Sequence, residues 1–453
     1  MPAPRGVRGW LANPSFKYRL VRERTALNLM MSIFCLRSVA FLALLIPALA
    51  LTSAAGGPVI LYVTALIALA MMATNLFRRR EPFALKELAP MAVALMAPLL
   101  GMLISSAYLG VWSSSEVEKL LRFALAVPVC WVLLRVPRDW LRHVQWSLLF
   151  GAVAGALMLV YIIHDPDLGR GAVSDFGGRY NAVAFADLTI FFGFASVLTL
   201  PWRLSPWPRL EAALKIAAVL VSLYGIWVSQ TRSSWAFLPV FGLVYLLTKR
   251  QWQSRTKLIF VAAAVAILAV LAALSWHSKE SRWKIMVSDV NRYEQHDRDT
   301  SVGIRIQLWK ASWMMFKESP LVGVGVPNFR PELVKLQKQG VVTELVSTDF
   351  GEPHNDMLGA LAGYGLFGLL AILALYFVPA AVFWRRSASD DPVVHVGSQI
   401  GMLFCLGYFV FSLSEMMFRN MRSVPIYALT VVVLYALTSA RTGLAQQRLA
   451  AKR

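Results

Sequence analysis

Long runs of apolar residues, separated by short polar segments, dominate the pattern of this chain. A helix that crosses the hydrocarbon core of a bilayer needs roughly 20 consecutive apolar residues, so the runs predict about twelve transmembrane helices. The predicted fold class is therefore an all-α polytopic membrane protein. The predicted spans are 29–53, 59–77, 88–108, 119–134, 145–163, 181–200, 212–229, 233–248, 258–276, 356–384, 396–418 and 423–440.

Arginine and lysine concentrate in every second segment between these spans, for example at Arg78, Arg138 and Arg385. Because cytoplasmic loops of membrane proteins collect basic residues, this alternation places both termini in the cytoplasm. The chain then divides into a basic N-terminal segment, nine spans, a long outer loop, three spans and a cytoplasmic tail. Their predicted bounds are 1–28, 29–276, 277–355, 356–440 and 441–453.

Composition agrees with this organisation, since 57% of the residues are hydrophobic and only 15% are charged. The formal net charge of +20 would also suit a nucleic-acid-binding protein. That class is excluded here, because the basic residues lie in short loops and form no single stripe or tail. In those positions they face the anionic inner leaflet, so membrane lipids are the expected partners of the basic loops.

One predicted outer segment, 277–355, is much longer than the others. It contains amphipathic stretches around 303–318 and 328–338. A loop of this length between spans usually carries function. We therefore predict an outer loop with amphipathic helices that lies over the outer ends of the spans.

A few arginines depart from the positive-inside pattern, because Arg179, Arg232 and Arg305 fall at the outer interface. The planar guanidinium group matches phosphate oxygens in a bidentate manner, and ionisable residues at membrane depth often mark substrate paths. Several arginines at one outer cleft would suit a diphosphate. The alternative is that each extends to lipid headgroups or pairs with a carboxylate such as Asp187 or Asp349.

His354 stands at the end of the long loop, directly before a predicted span, and Asn355 follows it. Histidine is a common general base near neutral pH, and the asparagine could orient it or bind a substrate hydroxyl. The alternative is an interfacial histidine at a helix start that Asn355 caps. The following span places four residues on one face, which predicts close helix packing: Leu358, Leu361, Gly365 and Gly368.

No metal or cofactor is predicted for this site. Zinc sites need several histidine or cysteine ligands, and the sequence has no such cluster. Asp349, Glu352 and Asp356 flank His354, so a metal bound by oxygen ligands stays as a minor alternative.

The motifs of the second half resemble those of the O-antigen ligase/polymerase superfamily. Its members have an arginine in an amphipathic helix, then a turn of the form P-hydrophobic-hydrophobic-G-x-G, then HN-x-x-L-x-x-L-x-x-x-G entering a span. Here Arg305 is followed by the turn at 320–325 and by His354 and Asn355. The upstream run SQTRSSW is similar to a hairpin motif of the family, with Arg232 at the arginine position and Ser233 where glycine is common.

This resemblance implies a GT-C-like glycosyltransferase of the bacterial cell inner membrane, with its active site facing the periplasm. The implied donor is an undecaprenyl-diphosphate-linked O-antigen, and the acceptor for a ligase is a sugar hydroxyl of lipid A–core. The product would be lipopolysaccharide. Polymerases and protein O-oligosaccharyltransferases use the same donor and share the motifs. The single long outer loop, with no large outer segment after 440, favours a ligase.

The resemblance also implies roles for the candidate residues. Arg232 and Arg305 would bind the diphosphate, and Arg179 would assist or hold the acceptor. His354 would take the proton of the acceptor hydroxyl or, if protonated, contact the diphosphate, with Asn355 binding substrate. Transfer would be metal-independent and would invert the anomeric centre. A transporter of the same lipid-linked glycan is a further alternative, although it should carry its cations through the depth of the membrane.

Overall fold

The computed structural model describes residues 31, 33–78, 84–176, 180–235, 237–248, 255, 258, 259, 262, 282–295, 297–418 and 423–443. The helices of the first half are α1 (Ile33–Leu44), α2 (Ile46–Ala50), α3 (Gly56–Arg78), α4 (Leu85–Leu109), α5 (Ser114–Leu133), α6 (Arg138–Leu141), α7 (Val144–His164), α8 (Val173–Phe176), α9 (Ala182–Leu198), α10 (Pro208–Ser229), α11 (Arg232–Trp235) and α12 (Phe237–Thr248). Those of the second half are α13 (Arg282–Glu294), α14 (Ser301–Glu318), α15 (Phe329–Lys338), α16 (Glu344–Asp349), α17 (Asp356–Arg386), α18 (Pro392–Phe411) and α19 (Ser423–Leu437).

The described helices confirm an α-helical polytopic membrane protein. Six helical segments are long and apolar enough to cross a bilayer: α3, α4, α6 together with α7, α10, α17 and α18. Helices α1, α9, α12 and α19 are apolar but shorter. Most of the predicted span at 258–276 lies outside the described residues. The count of twelve spans and the GT-C-like architecture therefore stay predictions.

Helix α19 lies at the centre of the bundle, and every one of its residues is buried. Nearly all of α9 is buried as well. A helix that is apolar on every side is typical of an interior position, where it needs no lipid-facing or polar stripe. Because α18 packs against α9, α17 and α19, these helices form a central layer around which longer helices such as α3 and α10 expose large apolar side chains.

Helix α5 begins earlier than the predicted span at 119–134. It starts at Ser114, and the hydroxyl of Ser113 accepts a hydrogen bond from the backbone N–H of Glu116. A serine cap explains this early start, since it satisfies one of the free N–H groups of the first turn. The first turns of α5 therefore carry charged residues near one end of the bundle, including Lys119 and Arg122.

Helix α17 is interrupted at Gly365, which adopts φ +64° and ψ −150°. The four residues predicted to share one helix face are therefore divided by the break, although Leu361, Gly365 and Gly368 are buried as close packing requires. A Cβ on Gly365 would lie 2.4 Å from the carbonyl carbon of Leu321. The glycine is required because another backbone segment approaches at this point, whereas sequence periodicity assumes an unbroken helix.

The segment that enters this break is the turn at 320–325. The N–H of Leu366 donates to the carbonyl of Pro320 at 2.8 Å, and the N–H of Val324 donates to the carbonyl of Ala362 at 2.9 Å. The turn thus supplies partners for backbone groups that the break removes from the helical pattern, as a helix in a membrane requires. Ser105 of α4 donates to the carbonyl of Val322 at 2.6 Å, so three segments meet here.

The long loop forms a small helical unit around α14, α15 and α16. Its core includes Leu308, Met315, Leu333 and Val346, and Ala362 of α17 packs into the same cluster. The turn at 320–325 and this shared core join the unit to the N-terminal part of α17. The stretches predicted around 303–318 and 328–338 form the helices α14 and α15.

At the other end of the bundle, a buried ion pair joins α10 to its neighbours. Lys215 is fully buried, and its ammonium group lies 2.7 Å from a carboxylate oxygen of Glu211. Lys215 also donates to Gln145 of α7 and to the carbonyl of Thr199 after α9. A buried charge is tolerated only when it is paired and its hydrogen bonds are satisfied, and the partners of Lys215 meet this requirement.

Replacing Lys215 with methionine should destabilise the fold, because the carboxylate of Glu211 would then be buried without its countercharge. Removal of one partner from a buried pair costs about 3–5 kcal/mol. Thermal unfolding in detergent measures the change, with Lys310→Met at an exposed position as the control. Equal melting temperatures for the two variants would contradict a stabilising role for the pair.

Candidate active site

His354 lies in the irregular segment between α16 and α17, with a positive φ of 51°. Its Nδ1 lies 3.3 Å from Oε1 of Glu415, which follows α18. The ring of Phe350 approaches the imidazole edge-on, with ring centroids 5.9 Å apart. The His354 side chain retains 20% exposure, whereas that of Glu415 retains 5%. The imidazole is therefore anchored on one side and accessible on the other.

The unusual backbone of His354 is fixed by hydrogen bonds on both sides of it. The indole N–H of Trp309 in α14 donates to the carbonyl of Pro353 at 3.0 Å. On the other side, the amide of Asn355 donates to the carbonyl of Leu413 at 3.0 Å. A non-glycine residue in the left-handed region is uncommon and persists when its surroundings determine it.

Asn355 is the N-cap of α17. Its side-chain oxygen accepts hydrogen bonds from the backbone N–H groups of Met357 and Leu358, each at 3.0 Å. The amide group is used by Leu413, so the side chain connects the helix start to the turn after α18. Contact of Asn355 with substrate stays a prediction, and the described geometry gives this residue a capping role.

Glu415 belongs to the turn at 412–418, because α18 ends at Phe411 rather than at the predicted 418. One carboxylate oxygen also accepts a hydrogen bond from the N–H of Met416 at 3.2 Å, and Asn181 provides a further side-chain hydrogen bond. Burial raises the pKa of Glu415, but the hydrogen bond and charge of His354 and the bonds of Asn181 and Met416 bring it below its ordinary value. The carboxylate is therefore ionised at neutral pH.

Asn181 brings a second region of the chain to the same place. It is the N-cap of α9, and its side-chain oxygen accepts from the N–H of Ala184 at 2.8 Å. The N-termini of α9 and α17 therefore both lie beside the turn of Glu415. Helix N-termini carry partial positive charge and free N–H groups, so two of them at one end of the bundle favour an anionic ligand.

The hairpin at 229–235 joins this region through α9. Ser234 donates to the buried carboxylate of Asp187 at 2.6 Å. Arg232 is the first residue of α11, two positions before Ser234, and its side chain lies outside the part that the structure describes. Arg170, which precedes α8, donates to the hydroxyl of Thr231 at 3.4 Å, so another cation lies against the hairpin.

Arg305 approaches from the loop unit. It is half-buried in α14, one turn before Trp309, and the two residues share a helix face. Because Trp309 bonds to Pro353, this face is turned towards the segment of His354. Within the described ranges, the guanidinium of Arg305 makes no hydrogen bond or ion pair. Arg179 lies outside the described residues, immediately before Tyr180 and Asn181.

Further charged groups lie between α5 and α17. Lys119 pairs with Glu116 at 2.7 Å, and Glu116 also accepts a hydrogen bond from Tyr364 at 2.9 Å. Asp356 is buried and accepts from the hydroxyl of Tyr376 at 3.0 Å, and the charge of Lys119 acts on it. These carboxylates are engaged with protein groups. Among the described residues, no three histidine, cysteine, aspartate or glutamate side chains could hold a metal ion.

We use the name outer cluster for His354, Asn355, Glu415, Asn181 and Arg305. Two of its members, Glu415 and Asn181, were missed from the sequence, as were Arg170 and Lys119 beside it. Glu415 fell inside the predicted span at 396–418, where a single carboxylate at membrane depth is itself a signal of function. No comparable sequence signal pointed to Asn181, whose place depends on the packing of α9.

Comparison with known proteins matches residues 217–373 to the O-antigen ligase family model. That segment contains Arg232, Arg305, His354 and Asn355, whereas Asn181 and Glu415 lie outside it.

The chain is 22% identical to the O-antigen ligase of Escherichia coli K12 over 319 residues, covering 68% of this chain and 69% of that protein. It is 29% identical to an uncharacterized Haemophilus influenzae protein, covering 37% of this chain and 43% of that one. It is also 29% identical to the teichuronic acid biosynthesis protein TuaE of Bacillus subtilis, covering 36% of this chain and 32% of that protein. The chain thus spans less than half of the last two proteins. Together, the matched segment and these relatives support the assignment of the chain to the O-antigen ligase family.

Proposed function

We propose that this protein is a glycosyltransferase that moves a glycan from undecaprenyl diphosphate to a sugar hydroxyl of lipid A–core. The observation that carries the proposal is the outer cluster, where an accessible histidine, a half-buried arginine and two helix N-termini lie at one end of a membrane bundle. The relative from Escherichia coli K12, which is similar over about two thirds of both chains, is named an O-antigen ligase, and this similarity supports the proposal.

The proposed location is the periplasmic face of the inner membrane. Helix α17 runs from Asp356 beside the cluster to Arg386, a distance of up to about 45 Å for its length. Arg386 bonds to the carbonyl of Tyr435 at the far end of α19, and Arg138 pairs with Asp391 in the same region. The cluster therefore lies opposite an arginine-rich end, which the positive-inside rule assigns to the cytoplasm.

The donor needs little activation, because a lipid diphosphate leaves readily once its charge is stabilised. In the proposal, Arg305 and Arg232 bind the diphosphate, and the N-termini of α9 and α17 add partial positive charge. Arg179 assists or holds the phosphate-rich acceptor. Catalysis then consists of positioning the two substrates and stabilising the charge of the leaving group. Guanidinium groups take the place that a metal ion would have.

His354 is proposed as the general base that removes the proton of the acceptor hydroxyl. Its Nδ1 faces Glu415, so Nε2 is the nitrogen left to meet substrate. The acceptor oxygen then attacks the anomeric carbon as the bond to the diphosphate breaks, and a single displacement inverts the configuration. Contact of a protonated His354 with the diphosphate is the alternative role.

The decisive test is product analysis with purified protein in detergent, supplied with undecaprenyl-diphosphate glycan and lipid A–core in the presence of EDTA. We expect glycan on lipid A–core. Products in which donor glycans are joined to each other would replace the proposal with a polymerase. No product with either acceptor, from protein that melts normally, would favour a transporter of the donor.

Replacing Arg305 with alanine should lower transfer by at least about 100-fold, because a preorganised charge on the leaving group is lost. Arg305→Lys keeps the charge without the bidentate fork, so we expect partial recovery. Arg292→Ala is the matched control, since Arg292 is an exposed arginine of the same loop paired with Asp297 at 2.6 Å. Native rates for folded Arg305→Ala would remove this residue from the proposed site.

A further inference from the structure

Glu415 occupies a position that the proposed reaction does not yet explain. It is an acidic residue with 5% side-chain exposure at the outer end of a membrane bundle, and its carboxylate faces Nδ1 of His354. A buried carboxylate is costly unless its hydrogen bonds are satisfied. Its place in the fold therefore calls for a reason other than stability alone.

The carboxylate is fixed from two other directions, independently of His354. The N–H of Met416 donates to it at 3.2 Å, and Asn181 bonds to it from the start of α9. Asn181 is itself fixed, because it caps α9 through the N–H of Ala184. The carboxylate of Glu415 is thus a rigid hydrogen-bond acceptor for the imidazole. Its position is fixed by α9, which is distant in sequence from both Glu415 and His354.

Two of the other charged groups near His354, Asp356 and Lys119, have partners of their own. Asp356, two residues on, is satisfied by Tyr376 and by the N–H of Met417. Lys119 of α5 pairs with Glu116. Glu352 precedes the histidine by two residues, and Arg305 shares the α14 face that reaches Pro353. Among the described residues that contact the His354 ring, the one that can accept its Nδ1–H is Glu415.

We propose that Glu415 is the positioning residue of His354. Its carboxylate accepts the Nδ1–H, which selects the tautomer whose Nε2 carries a lone pair, and it stabilises the imidazolium that forms during transfer. This inference rests on the proposed function of His354 as a base. The reaction balances: the hydroxyl proton passes to Nε2, the acceptor oxygen bonds to the anomeric carbon, and the diphosphate leaves with the electron pair.

The arrangement follows the general logic in which a buried carboxylate orients a histidine that acts as base. Glu415 is suited to the role because its pKa lies below the ordinary value, so that it stays ionised when the imidazole becomes charged. A neutral group at the same place would hold the ring but would not offset the new charge. This difference separates a positioning role from a structural one.

The test uses Glu415→Gln, which keeps the size of the side chain and removes its charge. Site-resolved carbethoxylation, followed by mass spectrometry across pH, reports the pKa of His354 directly. We expect His354 to be modified at lower pH in the variant than in the native protein, because the loss of an opposite charge makes the imidazolium easier to deprotonate. His143 and His164, both exposed, are internal controls whose modification should not change.

Glu116→Gln is the matched control variant. It also removes one negative charge near this end of the bundle, but Glu116 bonds to Lys119 and Tyr364 rather than to His354. We expect the pKa of His354 to be the same as in the native protein. An equal fall in both variants would show a general field effect, and it would overturn the specific role of Glu415.

Transfer rates supply the second measurement. Glu415→Gln should lower kcat by about 100-fold or more with little change in the KM for donor. Combined with His354→Ala, it should add almost nothing, since both changes act through one group. Effects that multiply, or a His354 pKa that does not move, would overturn the inference. Glu415→Asp, which retains the charge, should recover part of the rate and serves if the glutamine variant does not fold.

The two measurements also separate this inference from the function on which it rests. Should the native protein transfer no glycan, the proposed function fails, and the pKa of His354 still reports whether Glu415 controls the imidazole. Should transfer occur with an unchanged His354 pKa in Glu415→Gln, the function stands and the positioning role fails.

Discussion

Replacement of His354 is expected to reduce transfer to lipid A–core by about 10²–10⁴-fold, the usual contribution of a positioned general base. Binding of the donor should change little, because the diphosphate is assigned to the arginines. The imidazole is suited to this role by its partial exposure and by the contact of Nδ1 with Glu415. Rates are measured with purified protein at saturating donor.

The choice of substitution matters, because His354 has φ +51°. Alanine adds backbone strain at this angle, whereas asparagine adopts positive φ more readily. His354→Asn and His354→Ala should therefore be equally inactive, with a higher melting temperature for the asparagine variant. His143→Ala, at an exposed histidine before α7, is the control. More than a tenth of native activity in folded His354→Asn would exclude His354 as the base.

A second large effect is expected at the break in α17. A Cβ on Gly323 would lie 2.6 Å from both the carbonyl oxygen of Ala362 and the backbone nitrogen of Tyr364. Neither atom is at the end of a flexible side chain, so Gly323→Ala should displace the turn at 320–325. Strain and overpacking together should cost about 2–5 kcal/mol. Transfer should fall with it, since the turn fixes the loop unit that carries Arg305.

Gly340 provides a matched control for this prediction. It belongs to the same loop unit and has φ +70°, but a Cβ there would meet no atom within 4 Å. Gly340→Ala therefore adds the strain of positive φ without the collision. Melting temperature and limited proteolysis of the loop compare the two variants. Equal losses would show that backbone angle alone matters, and they would contradict the docking of the turn into the break.

The sequence predicted the helical class and the principal spans because lipid imposes one simple requirement on a crossing helix, a long apolar run. The starts of α14 and α17 could also be predicted from the sequence, since amphipathic spacing and an asparagine cap are local features. The start of α5 was predicted too late, at 119 instead of Ser114, because its first turns are not apolar. Its first turns carry Glu116 and Lys119, which a hydropathy criterion excludes although serine capping begins the helix at Ser114.

Features that depend on tertiary contact were not predictable. The break at Gly365 exists because the turn at 320–325 enters it. Each segment has its own glycine motif in the sequence, but nothing local indicates that the two segments are in contact. Glu415 was assigned to a membrane span, since the end of α18 at Phe411 has no strong local signal. Its contacts with His354 and Asn181 join segments far apart in the chain, which periodicity alone cannot pair.

The sequence named some residues of the outer cluster, and the roles of all of them stay predictions. The motifs indicated His354 and Arg305, and the structure places them on segments joined by the bond from Trp309 to Pro353. The convergence of Arg232 with the other arginines was an inference from topology. The hydrogen bond from Ser234 to Asp187 joins its hairpin to α9. The roles of Arg179, Arg232 and Asn355 in binding substrate remain predictions.

The central claim is that a lipid-linked diphosphate binds at the outer cluster. The most direct measurement is photocrosslinking with undecaprenyl diphosphate that carries a diazirine in the isoprene unit next to the diphosphate. We expect labelled peptides from α14 and from the start of α17, with labelling suppressed by excess unlabelled undecaprenyl diphosphate. Suppressible labelling confined to the opposite end of the bundle, near Lys215 or Arg386, would contradict the account.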